Sequence, residues 1–305
     1  MTRQATVGLI GPGRMGAPMA SNILAGGLGV HVVARRAEAA AELVDQGATV
    51  AARAADLPAA CATVLAVLPD LPQLQPLLEG PDGLYAGAAA HPEPTVLVIC
   101  STSSPQGVRD LAAEAAEATN GQLRVVDAPI SGGEVGAQNA QLAIMVGGAE
   151  EDIQQVLPAL AHCGTPTVMG ALGSGEVAKA CGQLIVAATM AAVAEASVLA
   201  ESAGLDISAL MDALGAGLAD SRLLQQKRDK IVNRDYSTTG ALAYMRKDLG
   251  FASQEAAVHG TELQLTEKLR EMYGQVVDAG LGEQDLAVIH QFLRERRSNP
   301  TPEHP

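Results

Sequence analysis

Thr6-Val7-Gly8-Leu9-Ile10-Gly11-Pro12-Gly13-Arg14-Met15-Gly16 is the stretch from which the architecture can be read. Its first half is a short apolar run. Its second half spells GxGxxG, and helical periodicity then continues through Met15, Met19, Ile23 and Leu24. In a chain with 32 glycines the pattern alone is weak. Its place after a strand and at the opening of a helix makes it informative. Gly11 permits the tight turn, Gly13 lets the backbone approach a pyrophosphate, and Gly16 lets the helix pack closely on the sheet. The helix N-terminus offers free N–H groups to the anion. Gly11, Pro12, Gly13, Arg14, Met15 and Gly16 are therefore the expected phosphate side of a dinucleotide site.

The second strand, Val30-His31-Val32-Val33, runs into Ala34-Arg35-Arg36. An NAD site takes Asp or Glu at this point, to accept from the ribose hydroxyls. Here no carboxylate occurs before Glu38. Two guanidiniums suit a 2′-phosphate, which a carboxylate would repel. Ala34, Arg35 and Arg36 are thus assigned to the cofactor, with NADP(H) expected and NAD(H) the alternative. The competing reading makes both arginines ordinary solvated residues at a helix start.

Further along, strand and helix signals alternate. Helical periodicity runs from Glu38 to Gln46. Thr63 to Leu68 reads as a third strand, Thr95 to Cys100 as a fourth and Leu123 to Val126 as another, with a helix opened by Pro105. Leu142 to Val146 reads as one more strand. Near-continuous apolar strands separated by amphipathic helices predict an α/β fold, a doubly wound Rossmann sheet that is parallel and covered on both faces. After Gly170 no convincing strand follows. Gly175 to Ala203 reads as one Ala-rich helix, apolar around much of its circumference and hence buried. The expected organisation is a nucleotide-binding domain over 1–172, an all-helical domain for substrate binding and oligomerisation over 173–297, entered by the long helix, and a flexible Pro-rich tail over 298–305.

Composition bounds the function. The chain has 305 residues, 48% apolar and 18% charged, enough to bury a full core. A net charge of −14 argues against a nucleic-acid surface. Aromatic residues at 2% argue against base-stacking platforms. Cys61, Cys100, Cys163 and Cys181 form no CxxC pair, and no histidine has a metal-ligand partner at helical spacing, so no metal is expected. Buried free thiols in a reducing cytosol are the expected state. The start of the chain shows no signal-peptide core. Leu184 to Leu199, interrupted by Glu195, is too short to span a bilayer. A soluble, cytoplasmic protein with no membrane or nucleic-acid partner is expected.

Four blocks, taken together, go beyond the glycine loop. They are Leu9 to Ile23, Asp127-Ala-Pro-Ile-Ser131-Gly132-Gly133, Gly175-Glu-Val-Ala-Lys179 and Lys247-Asp248-Leu249. In this order they resemble the β-hydroxyacid dehydrogenase family, which includes 3-hydroxyisobutyrate dehydrogenase and tartronate semialdehyde reductase. Val67-Leu68-Pro69 and Ser101-Thr102 resemble its lesser nicotinamide-side blocks. The resemblance covers almost the whole chain. It implies that Leu68, Pro69, Thr102 and Lys247 contact the cofactor, that Ser131, Gly132 and Gly133 form the substrate loop, and that Lys179 lies on the catalytic helix. The family usually has Leu or Ile at the position of Pro12. It carries two Asn three and four residues after the lysine, where this chain has Gly182 and Gln183.

The residue types suit these roles. Lys179 would exchange the hydroxyl proton as general acid–base and, when charged, stabilise the developing oxyanion. A buried helix would lower its pKa by desolvation. Gln183 lies one helical turn on, so both side chains can converge on one oxygen. Ser131-Gly132-Gly133 would hold a carboxylate with unobstructed backbone N–H groups and a hydroxyl, although on spacing alone it reads as a plain turn. Asp248 is expected to be a local salt-bridge or capping group, and Ser221-Arg222 a helix start with no chemistry. The function implied is NADP(H)-dependent interconversion of a small 3-hydroxy acid and its semialdehyde or keto acid, in a homodimer or homotetramer. Two rivals remain: an imine reductase of the same plan, and a non-catalytic nucleotide-binding member that kept the fold.

Overall fold

The computed structural model describes residues 2–296, so the expected tail over 298–305 and the end of the helical domain at 297 lie outside the described residues. The strands are β1 Thr6–Ile10, β2 Gly29–Val33, β3 Thr49–Val50, β4 Thr63–Ala66, β5 Thr95–Ile99, β6 Leu123–Asp127, β7 Ile130–Ser131, β8 Leu142–Gly147 and β9 Gly164–Gly170. The helices between them are α1 Gly16–Ala25, α2 Ala41–Asp45, α3 Leu57–Ala60, α4 Leu71–Leu78, α5 Leu84–Ala90, α6 Pro105–Thr119, α7 Gly133–Gln138 and α8 Glu150–Ala161. There follow α9 Ser174–Ser202, α10 Ile207–Gly215, α11 Arg222–Val232, α12 Leu242–Val258, α13 Gln264–Val276 and α14 Val288–Glu295. The chain divides into two compact units, Met1–Ala180 and Cys181–Pro305, so the division falls inside α9, whereas the change of sequence character sits at its start.

In the first unit the strands line up as β3-β2-β1-β4-β5-β6, the doubly wound order of dinucleotide-binding folds. All five residues of β1 are buried, as are all five of β5. Alternation along these strands feeds two cores. Val7, Leu9, Val32, Leu65 and Val98 pack into one, while Ile10, Val64, Ala66, Leu97 and Ile99 pack into the other. A strand apolar on both faces can lie only between two covering layers, which is why these runs read as near-continuous hydrophobic segments.

The sheet departs from the parallel expectation in one region. β8 runs antiparallel to β6 and β7, and only β9 joins it in parallel. β6 continues through Ala128 and Pro129, whose carbonyl accepts from the Met145 N–H at 3.1 Å, into β7, and the chain reverses only over residues 132–141, which carry α7. The strand over 142–146 was legible in its apolar residues, but strand direction depends on the loop before it. The short strands β3 and β7 and the largely exposed β9 have no apolar run to announce them.

The second unit is all helical among the described residues. Its core gathers Met190 and Ala194 of α9 with Leu224, Leu249, Tyr273, Val288 and Ile289. Ser221 caps α11 by accepting from the Leu224 N–H at 3.0 Å, the helix start read from its sequence. α9 is the Ala-rich helix read over 175–203: glycines at 175 and 182 do not break it, and it runs 29 residues. By length and composition it is long and apolar enough to cross a membrane, which corrects the reading of Leu184 to Leu199 as too short. A core helix passes the same test, and the buried Glu176 and Lys179 lie on it.

Candidate active site

The glycine loop follows from its sterics. Gly11 has φ +90°, and a Cβ there would fall 2.5 Å from the Val67 carbonyl oxygen. The turn after β1 thus lies directly on the segment after β4, where the strand order reverses and doubly wound folds bind ligands. A Cβ at Gly16 would fall 2.2 Å from the Gly11 carbonyl oxygen, so only glycine lets α1 start this close to the turn. A Cβ at Gly13 would meet no protein atom within 4 Å. What the missing side chain leaves clear is the outer face of the loop, as a backbone-hugging pyrophosphate requires. Leu68 borders the turn, its side chain within 2.7 Å of the position a Gly11 Cβ would take, and Pro69 follows it in the chain.

Arg35 and Arg36 are exposed at the end of β2, and neither makes an ion pair or side-chain hydrogen bond among the described residues. Ala34 beside them is partly buried. Arg14 points elsewhere: its guanidinium pairs with Glu134 at 3.2 Å. Glu134 lies in the first turn of α7, beside Ser131-Gly132-Gly133, so this pair ties the glycine loop to that corner. Gly132 has φ +141° and Gly133 φ +66°, conformations that require glycine at this strand-to-helix corner.

Lys179 is 6% exposed. The start of its helix is held by a group to which the sequence alone assigns no role. Asp127, fully buried at the end of β6, accepts from the Gly173 N–H at 2.7 Å and the Glu176 N–H at 2.8 Å. Burial pushes its carboxyl up to about 6, against the pull of those N–H groups toward the charged form. Glu176 in turn accepts from the Ser103 N–H at 3.0 Å, next to Thr102. The one sequence signal for this network is a carboxylate closing the strand Leu123-Arg124-Val125-Val126-Asp127.

In the second unit, Gln183 does not present a free amide. Its Nε2 donates to Asp248 Oδ2 at 2.6 Å. Asp248 is 4% exposed, and its other oxygen lies 3.7 Å from Lys247 Nζ. The Lys247 ammonium also stands 5.3 Å from the Phe251 ring centroid and 5.9 Å from that of Tyr244. Asp248 is thus the local pairing group expected of it. Cys61, Cys100 and Cys163 are buried, and burial pushes the Cys61 and Cys163 thiols up to about 12. They are too weakly acidic to act as nucleophiles. Cys181 is exposed.

The fold and this arrangement define a two-unit nucleotide-dependent oxidoreductase. Residues 6–173 match the NAD-binding domain of 6-phosphogluconate dehydrogenase, and residues 173–293 match the NAD-binding domain of NADP-dependent 3-hydroxyisobutyrate dehydrogenase. The chain is 37% identical to a probable 3-hydroxyisobutyrate dehydrogenase-like protein of Arabidopsis thaliana, over 84% of this chain and 79% of that one. It is 32% identical to 2-hydroxy-3-oxopropionate reductase of Escherichia coli, over 94% and 96%. The crystal structure of 3-hydroxyisobutyrate dehydrogenase from Salmonella typhimurium superposes with a TM-score of 0.84 at 26% identity, covering 94% of this chain and 99% of that one. The chain belongs to the β-hydroxyacid dehydrogenase family. It is a dehydrogenase that acts on the CH–OH group of small hydroxy acids with NAD(P).

Proposed function

We propose that this enzyme interconverts a small 3-hydroxy acid and its semialdehyde or keto acid with NADP(H), and that Lys179 is its general acid–base. The observation that carries this is a lysine buried to 6% exposure in the second turn of α9, within the block Gly175-Glu-Val-Ala-Lys179. A bound nicotinamide supplies the hydride acceptor or donor. The chain's own groups do the rest. In oxidation Lys179 takes the hydroxyl proton as the carbon is oxidised; in reduction it returns that proton to the forming alkoxide. The turn around Gly11, Gly13 and Gly16 holds the pyrophosphate, and Ser131, Gly132 and Gly133 receive the substrate carboxylate. Leu68, Pro69, Thr102 and Lys247 line the nicotinamide side. Arg35 and Arg36, exposed without ion pairs of their own among the described residues, favour NADP(H) over NAD(H).

Gln183 narrows the substrate. A carboxylate only accepts, so the amide nitrogen must be the atom facing Asp248. The oxygen remains, and it accepts. A substrate with a hydroxyl or ammonium donor beside its reacting carbon fits this group better than one with a methyl there. We also read the enzyme as a cytoplasmic homodimer or homotetramer; its free cysteines suit a reducing compartment.

The test is a panel of hydroxy acids and aldehydes followed by NADPH absorbance, repeated with Lys179→Met. That variant keeps the apolar stem, so the helix still packs. The expected result is a fall in kcat of at least about a hundredfold with NADPH affinity nearly intact, because the lost interaction belongs to the transition state. Wild-type turnover by Lys179→Met would remove the lysine from the mechanism, and NADPH binding without turnover of any panel member would favour a non-catalytic role.

A further inference from the structure

The geometry points to Asp127 and Glu176 as positioning residues for the reaction: together they clamp the first turn of the lysine-bearing helix to the loop that carries Thr102. This rests on the assignment of Lys179 as the acid–base group.

The clamp is unlike the other helix starts of the chain. Asp206 caps α10 and Ser221 caps α11, each with one hydrogen bond to an N–H three residues on. Asp127 belongs to a different element, 46 residues before the Gly173 N–H that it accepts. Each of its oxygens takes one N–H from the start of α9. Its seat is closed by two positions that bear no side chain. A Cβ at Gly147 would fall 2.5 Å from Oδ1; one at Gly175 would fall 2.8 Å from Oδ2 and 2.2 Å from the Met145 carbonyl oxygen.

A fully buried carboxylate is costly unless hydrogen-bonded, and here helix N–H groups meet that demand at the positive end of the helix dipole. Glu176, 1% exposed, extends the link by accepting the Ser103 N–H. Thr102 precedes Ser103 in the chain, and Lys179 follows Glu176 by three residues, on the same face of the helix. The end of β6, the start of α9 and the loop after β5 are thereby locked in one register. A general acid–base on a flexible four-carbon stem depends on such a register, since a displacement of about 1 Å can cost roughly a hundredfold in rate.

The experiment compares full-length Asp127→Asn, Glu176→Ala, Glu176→Gln and Lys179→Met, together with the double variant Asp127→Asn/Lys179→Met. It reads kcat, KM, NADPH affinity and melting temperature. Asparagine has one acceptor oxygen, so one of the two N–H groups loses its partner. Asp127→Asn and Glu176→Ala should each lower kcat at least about tenfold while NADPH affinity stays within about twofold. Glu176→Gln keeps a carbonyl oxygen for the Ser103 N–H and should recover kcat to within about threefold of wild type. The double variant should be no slower than Lys179→Met alone, because the clamp acts through the lysine. Unchanged kcat in a folded Asp127→Asn, equal rates for Glu176→Ala and Glu176→Gln, or a double variant slower than Lys179→Met would each overturn the positioning role. If Asp127→Asn fails to fold, the Glu176 pair carries the comparison. An active Lys179→Met would instead sink the lysine assignment, which the positioning variants leave untouched.

Discussion

On the proposed reading, Arg35 and Gln183 each decide part of what this enzyme accepts. A guanidinium on a 2′-phosphate makes a charge-assisted contact of about 1.5–3 kcal/mol. Arg35→Ala should therefore lower kcat/KM for NADPH by roughly tenfold to a hundredfold and leave NADH almost untouched. Equal use of NADH and NADPH by the wild type would remove the arginines from the site. Gln183 carries the second forecast. With Nε2 held by Asp248, its oxygen is left to accept, and on the proposed reading it takes a donor on the substrate. Gln183→Asn shortens the side chain by one methylene and gives up that hold. The ratio of kcat/KM for glycerate over 3-hydroxyisobutyrate should exceed one in the wild type and change by about tenfold in the variant, the worth of one neutral hydrogen bond. NADPH affinity should stay the same. An unchanged ratio would show that the amide does not face the substrate.

Between elements, buried ion pairs set the response to acid. Asp285, fully buried before α14, accepts from Lys227 Nζ of α11 at 2.8 Å, from Thr239 Oγ1 at 2.5 Å and from the Ala287 N–H at 3.0 Å. Desolvation pushes this carboxyl up, but Lys227, Thr239 and the Ala287 N–H outweigh it and hold the group below its usual range. A depressed folded pKa stabilises the fold fully above the unfolded value of about 3.9, and the contribution is lost as pH falls through the folded value. Lys227→Met strands the carboxylate, and breaking such a pair costs about 3–5 kcal/mol. The variant should melt well below wild type at pH 7, and the gap should close as pH falls below about 4. Equal melting temperatures at pH 7 would show that the pair contributes nothing. Asp127 has the opposite sign. Its folded pKa is raised to about 6, so it favours the fold below the unfolded value of about 3.9, and that contribution disappears as pH rises through about 6.

At the scale of the whole molecule, the surface of α9 carries the forecast. Cys181, Ile185, Ala192, Glu195 and Leu199 are its exposed stripe in the second unit, with Ile185 at 64% and Leu199 at 71% exposure. Ile185 and Leu199 are 14 positions apart, close to four turns at about 3.6 residues each, so both apolar side chains lie on one face. Large apolar groups aligned on an exposed helix face suit a subunit interface. Light scattering should give at least twice the single-chain mass for the wild type, and Ile185→Asp should lower it. A monomeric wild type would leave this stripe without the role assigned to it.

The glycine turn, the strand order that follows from alternating βα segments and the lysine block could all be read before any coordinates. Each is written in local steric or periodic demands: Gly11 must adopt positive φ, β1 and β5 must be apolar on both faces, and Lys179 and Gln183 are a helical turn apart. The reversed direction of β8 could not be read, because a strand's side-chain pattern is the same in either direction and the reversal belongs to the segment 132–141, which carries α7. The 29-residue extent of α9, by contrast, could be read as the Ala-rich run over 175–203. The partners of Asp127, Glu176 and Gln183 lay beyond the sequence for one shared reason. A buried polar group takes whichever donor or acceptor folding brings within about 3 Å, and those donors and acceptors come from residues tens of positions away.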